Sequence, residues 1–168
     1  MTGSAIGWLH FGAAVAALLS GAGVLLRPKA GVLHRAGGYF YAGSMLLLNL
    51  SALSLYRLSG KPNFFHFAAL VSLATVLAGV AAARRRRAGW LERHYRYMGW
   101  SYIGLLAALV AESATRLLLP WLRAEGFNRP GLFWLIVAVV SSATCIAGAR
   151  VLNSAGPRAA DRAHSRHR

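Results

Sequence analysis

The sequence predicts an all-α membrane protein with five transmembrane helices, the first four forming a histidine-bearing bundle made from a tandem two-helix repeat. Three observations carry this expectation. Hydrophobic residues make up 57% of the 168-residue chain and charged residues only 14%, well below the charged fraction of an ordinary soluble domain. Mean hydropathy is +0.47, and several apolar runs exceed the roughly 18 residues that mark a spanning helix. Finally, one histidine accompanies each of four successive runs, matching in place between the first and third and between the second and fourth. The chain is long enough for one membrane domain, over 1–152, and a short tail over 153–168.

The elements follow in order from apolar runs and their punctuation. The first run, 5–26, opens from "MTGSAIGWLHF", which has no basic leader, and is long for a signal peptide; it is read as a retained helix. "RPKAG" ends it, and the second run covers 36–56. "SGKPN" precedes the third, 63–83, and "RRRRAGW" follows it. The fourth run is 96–119, and "NRPG" opens the fifth, 131–152. Proline and glycine at such places end helices or start them. The tail "NSAGPRAADRAHSRHR" is polar, basic and Gly/Pro-marked, and it is expected to be disordered. His164 and His167 within it have i,i+3 spacing but no further ligands for a metal.

Charge sets the topology. The formal net charge is +15, which in a soluble domain would suggest nucleic acid. Here the basic residues cluster between apolar runs, which excludes that reading and fits topology signals. The first and third loops plus the tail hold 14 of the 19 Lys and Arg residues, and the second and fourth loops hold 5. The positive-inside rule then places the N-terminus outside and the C-terminus inside the cytoplasmic (inner) membrane. The tail and the Arg84–Arg87 run are expected to anchor on anionic lipids. The lone cysteine, Cys145, excludes an internal disulfide and any Cys-based zinc cluster.

The first and third runs align without gaps from "HFGAAVAALLSGAGV" to "HFAALVSLATVLAGV", and the second and fourth align more loosely from "HRAGGYFYAG" to "HYRYMGWSYIG". This symmetry is common in membrane folds. It places His10 and His66 toward the outer ends of helices one and three, and His34 and His94 at the inner starts of helices two and four. Glu112 sits about 8 residues from the outer end of helix four, hence about 12 Å deep at 1.5 Å per residue. Five full turns separate it from His94, so both share one face. Ionisable groups are costly in lipid, so that face is expected to be the bundle interior. The outer layer then holds His10, His66 and Glu112, with Ser51 or Asn49 nearby. The inner layer holds His34 and His94, flanked by Arg35 and Arg93. Small residues, among them Gly12, Gly21, Gly43 and Gly104, let helices approach closely or leave space for a flat cofactor.

Two histidines per layer from alternate helices is what a four-helix bundle needs to clamp two b-type haems through axial imidazoles. Arg35 and Arg93 are then placed to pair with propionates, and Tyr39, Tyr41, Tyr97 and Trp100 to pack on a macrocycle. This layout resembles that of ascorbate-dependent transmembrane two-haem cytochromes b, and it implies transmembrane electron transfer. Other readings stay open. His10, His66 and Glu112 make a two-imidazole, one-carboxylate set of the kind used by catalytic zinc. Glu112 as a titrating group, with histidine relays, suits proton or solute translocation, which in so small a chain calls for a homo-oligomer. A non-catalytic assembly subunit, with partner membrane subunits, is the fourth reading. The bland alternatives are interfacial histidines beside arginines and a simple Glu112–Arg116 ion pair at i,i+4.

The stretches "HR..GYFYAGSMLLLNLSAL", "FFHFAALVSL" and "RHYRYMGWSYIGLLAALVAE" resemble a bacterial family of predicted membrane proteins catalogued as domain of unknown function 2306. The similarity spans roughly 10–116. It implies a multi-pass membrane architecture without an activity, and it marks His34, Arg35, Asn49, His66, His94, Met98, Tyr102 and Glu112 as the positions that carry the family pattern.

Overall fold

The computed structural model describes residues 4–29, 31–54, 61 and 63–156, so most of the basic tail, with His164 and His167, lies outside the described residues. The described residues form five α-helices and no strand: α1 (Ala5–Leu26), α2 (Gly31–Leu53), α3 (Phe64–Arg85), α4 (Trp90–Ala124) and α5 (Leu132–Ser154). Four of these, α1, α3, α4 and α5, are long and apolar enough to cross a membrane. The exception, α2, has 23 residues but carries a tyrosine, serine and asparagine face that lowers its apolarity.

Local chemistry sets the helix ends. Ser4 caps α1, its hydroxyl accepting from the Gly7 N–H at 3.2 Å. Gly31, at a φ of 86°, turns the chain into α2. That helix starts five residues before the expected 36, and so takes His34 and Arg35 into its first turns. Asn63 caps α3, accepting from the Phe65 N–H at 2.9 Å. Arg86 ends α3 in the left-handed region, at a φ of 44°, with its N–H on the Ala82 carbonyl.

Helix α4 is longer than expected at both ends, with 35 residues against the 96–119 read from apolarity. Its first turns are polar, yet Glu92 and Arg96 pair at 3.7 Å, and the Arg93 guanidinium donates to the Ala88 carbonyl at 2.6 Å. At the other end Pro120 removes one i→i−4 bond without ending the helix, which runs on to Ala124.

The chain divides into two compact units, 1–102 and 103–168, with the division inside α4. In the first unit α2 is central, packing on α1 and α3 and touching the start of α4 through Tyr41 and Ser101. Small residues make the close contact. Ala13, Ala17 and Gly21 recur every fourth position on α1 and are buried. Added bulk at Gly21 meets the rings of Tyr102 and Tyr41, and at Gly79 it meets the side chain of Met98. Gly21 thus serves close helix approach, the first of the two uses expected of the small residues, and Gly79 is filled in the same way. Gly12, Gly43 and Gly104 face open space instead. In the second unit, Ile103 of α4 lies against Gly148 of α5, and Ile136 and Val137 are buried.

A Cβ at Gly79 falls 2.6 Å from the Met98 Sδ. Gly79→Ala is expected to cost about 1–3 kcal/mol by overpacking. Thermal unfolding of the detergent-solubilised protein checks this, and Met98→Ala in the same chain should restore much of the loss.

Candidate functional site

The candidate site grows out of the buried face of α2. Tyr41, Ser44, Met45, Leu48 and Asn49 lie inside at helical spacing, with Ser51 at the end of the row. Lipid offers no hydrogen bonds, so each polar group here finds one within the protein. Ser44 donates to the Phe40 carbonyl at 2.9 Å, Asn49 Nδ2 to Met45 at 2.8 Å and Ser51 to Leu48 at 2.9 Å. The Ser101 hydroxyl donates to the Met98 carbonyl at 2.8 Å. Tyr41 is therefore the donor in its own 2.8 Å bond with Ser101. Tyr102 lies beside Tyr41, ring centroids 6.2 Å apart, and its hydroxyl donates to the Leu18 carbonyl of α1 at 3.3 Å. Together these groups make a polar seam from His34 to Ser51, about 26 Å at 1.5 Å per residue. That length is close to the hydrocarbon thickness of a bilayer.

Histidines stand at both ends of the seam. At one end His10 Nδ1 lies 3.0 Å from the Ser51 hydroxyl. Ser51 gives its proton to Leu48, so the imidazole donates from Nδ1, and its Nε2 keeps a lone pair when neutral. At the other end His94 Nδ1 lies 2.9 Å from the Gly79 carbonyl of α3. A carbonyl only accepts, so this ring too donates from Nδ1. His34 of α2 lies within electrostatic reach of His94 and Lys29. His34 Nδ1 is buried and has no hydrogen-bond partner among the described residues.

His66 is used differently. Its Nδ1 receives the Asn63 N–H at 3.3 Å and lies 3.2 Å from Asn63 Oδ1. The two residues form a capping box that starts α3. The imidazole thus fills the place usually taken by Glu or Gln, a signal readable in "NFFH" but missed by apolarity alone. Ser101, seven residues after His94 on the same helical face, was also missed, because a lone serine in an apolar run carries no motif.

Glu112 departs most from expectation. Its side chain is 53% exposed rather than turned inward, and its Oε1 accepts from Arg116 at 2.6 and 3.1 Å. The i,i+4 ion pair is therefore its observed partnership. No group of three or more His, Cys, Asp or Glu side chains placed to hold a metal ion occurs among the described residues. Of the residues expected to surround a macrocycle, Arg93 is bonded to backbone carbonyls, and Tyr39 lies under Arg84, 5.5 Å from the ring centroid. Asn49 and Met98 serve packing within the seam, and Arg35 is exposed.

A family model described as predicted membrane protein, DUF2306, matches residues 7–144. The chain belongs to this family of membrane proteins, and the match runs from within α1 into α5. No curated protein and no solved structure matches the chain.

Asn63→Ala is expected to cost about 1 kcal/mol by loss of the α3 cap. Since His66 acts through the same cap, His66→Ala combined with it should add little, a non-additivity that a double-mutant cycle of thermal unfolding measures.

Proposed function

We propose that this protein carries electrons across the cytoplasmic membrane through b-type haem, bound first between the imidazoles of His34 on α2 and His94 on α4. The observation that carries this reading is the bond from His94 Nδ1 to the Gly79 carbonyl at 2.9 Å. Histidines that ligate metals commonly give their second N–H to such an acceptor, which fixes the ring and presents Nε2. His34 supplies the second imidazole at the same end. His10, its Nδ1 held by Ser51, stands at the far end of the seam. With His66 it makes the second tier, although His66 has to leave its cap bond to present a lone pair. Haem iron would supply one-electron chemistry; the protein's own part is to orient the rings and exclude water.

The donor set suits such a group, and space is the more demanding requirement. The cavity beside His34 is about 210 Å³, below the roughly 300 Å³ at which cofactor sites usually begin. Admitting a macrocycle requires the helices to part there. The same reading makes α2 the fifth span, since 23 residues reach about 34 Å and its polar face is turned away from lipid. It keeps the N-terminus outside and the tail inside.

A second reading is proton translocation, favoured by the buried seam of Tyr41, Ser44, Ser101, Asn49 and Ser51 between histidines. Under it the seam, rather than the exposed Glu112, carries the titrating path. The zinc reading with His10, His66 and Glu112 requires Glu112 to abandon Arg116. An assembly role with a homo-oligomer or partner subunits rests on that exposed ion pair alone.

The purified full-length protein should be red, with a sharp reduced-minus-oxidised α-band. His94→Ala should lose the signal of its tier, whereas His66→Ala should keep that tier. A colourless preparation that also fails to shift the haem absorption of added haemin overturns the proposal. Stoichiometric zinc in a colourless preparation would favour the metal reading, and proton flux in liposomes the translocation reading.

A further inference from the structure

Near the turn between α1 and α2 the two helices separate around a cavity of about 210 Å³. That is room for about seven waters at ~30 Å³ each. Leu19, Val24 and Leu33 give it an apolar floor, and Gly23 and Gly37 keep it open. Its polar wall consists of Ser20, Arg27 and His34, with no carboxylate among the lining residues. Ser20 already donates to the Ala16 carbonyl, so it offers no free proton. His34 Nδ1 is buried without a hydrogen-bond partner among the described residues. A buried ring nitrogen left unpaired is unfavourable, and it marks a place where a ligand or water completes the structure. Lys29, outside the lining, also lies within electrostatic reach of His34.

We infer that this α1–α2 cavity binds the phosphate headgroup of an anionic membrane lipid. Arg27 and His34 face the phosphate, and the leucine and valine floor takes the start of an acyl chain. Basic pockets between membrane helices recognise lipid phosphates in this way. A free phosphate ion satisfies the arginine and histidine but gains nothing from the apolar floor. An amphiphile satisfies both. His34 and this cavity are shared with the haem reading, so lipid and haem exclude one another there, and Arg27 belongs to the lipid reading alone.

The geometry supplies a selective test. A Cβ at Gly23 meets nothing within 4 Å, and neither does one at Gly12, away from the cavity lining. Gly23→Leu thus adds bulk to the cavity lining from a Cβ that strikes no neighbouring atom, and Gly12→Leu is the control. Delipidated full-length protein in neutral detergent is titrated with phosphatidylglycerol, phosphatidylcholine or inorganic phosphate. Thermal unfolding and native mass spectrometry read the result. Phosphatidylglycerol should stabilise the wild type and remain as one retained copy. Arg27→Gln should weaken its apparent affinity by roughly fivefold, the effect of one basic group at a membrane surface. Gly23→Leu should abolish it, and Gly12→Leu should leave it unchanged.

Equal stabilisation by phosphatidylcholine overturns the inference, and so does undiminished retention in Gly23→Leu. Equal protection by inorganic phosphate would reassign the site to a free anion. Should Gly23→Leu fail to fold, the exposed Arg27→Gln decides alone: unchanged affinity there is also fatal.

Discussion

The structure depends on one constraint, which is that polar groups among lipid-facing helices must find their partners inside the protein. Helix α2 shows how the chain meets it. Its buried face carries Tyr41, Ser44, Asn49 and Ser51, and each is bonded to a carbonyl or hydroxyl of the protein. The price is a helix less apolar than its neighbours, which is why α2 alone misses the composition of a membrane span. Its position between α1 and α3 follows, since only a helix surrounded by others can keep such a face from lipid. Small residues on α1 and α3 then let the partners close around it.

The same constraint separates the histidines by role. All four look equivalent when aligned as a repeat, yet hydrogen-bond accounting distinguishes them. His10 and His94 each place Nδ1 on an acceptor, the Ser51 hydroxyl and the Gly79 carbonyl, so Nδ1 is the donor of both rings. His66 does the reverse and takes a proton from its own helix start. The histidines at aligned places on α1 and α3 therefore have two different uses. One copy bridges α1 and α2, and the other nucleates α3.

Much of the architecture was legible in the sequence, because apolar runs and their Gly/Pro punctuation act over short distances. The membrane class, the helix number and the family all follow from such local signals, as does the pairing of Glu112 with Arg116. What was not legible depended on long-range packing or on polar helix ends. Apolarity missed the first turns of α2 and α4, where His34, Arg35 and Glu92 are helical despite their polarity. It also turned Glu112 inward, since the rule that ionisable groups avoid lipid ignores the relief an adjacent arginine gives. Likewise the glycines allowed either close approach or space, and Tyr102 and Met98, distant in sequence, decide for close approach at Gly21 and Gly79.

The length of α4 has a consequence for the surroundings of the protein. Thirty-five helical residues reach about 52 Å at 1.5 Å per residue, far beyond a hydrocarbon slab of roughly 30 Å. Such a rod has to lean, or thicken the bilayer beside it, or leave turns in the headgroup region. The last of these suits α4, whose first turns carry Glu92, Arg93 and Arg96 and so extend the helix with charge rather than with further apolar length.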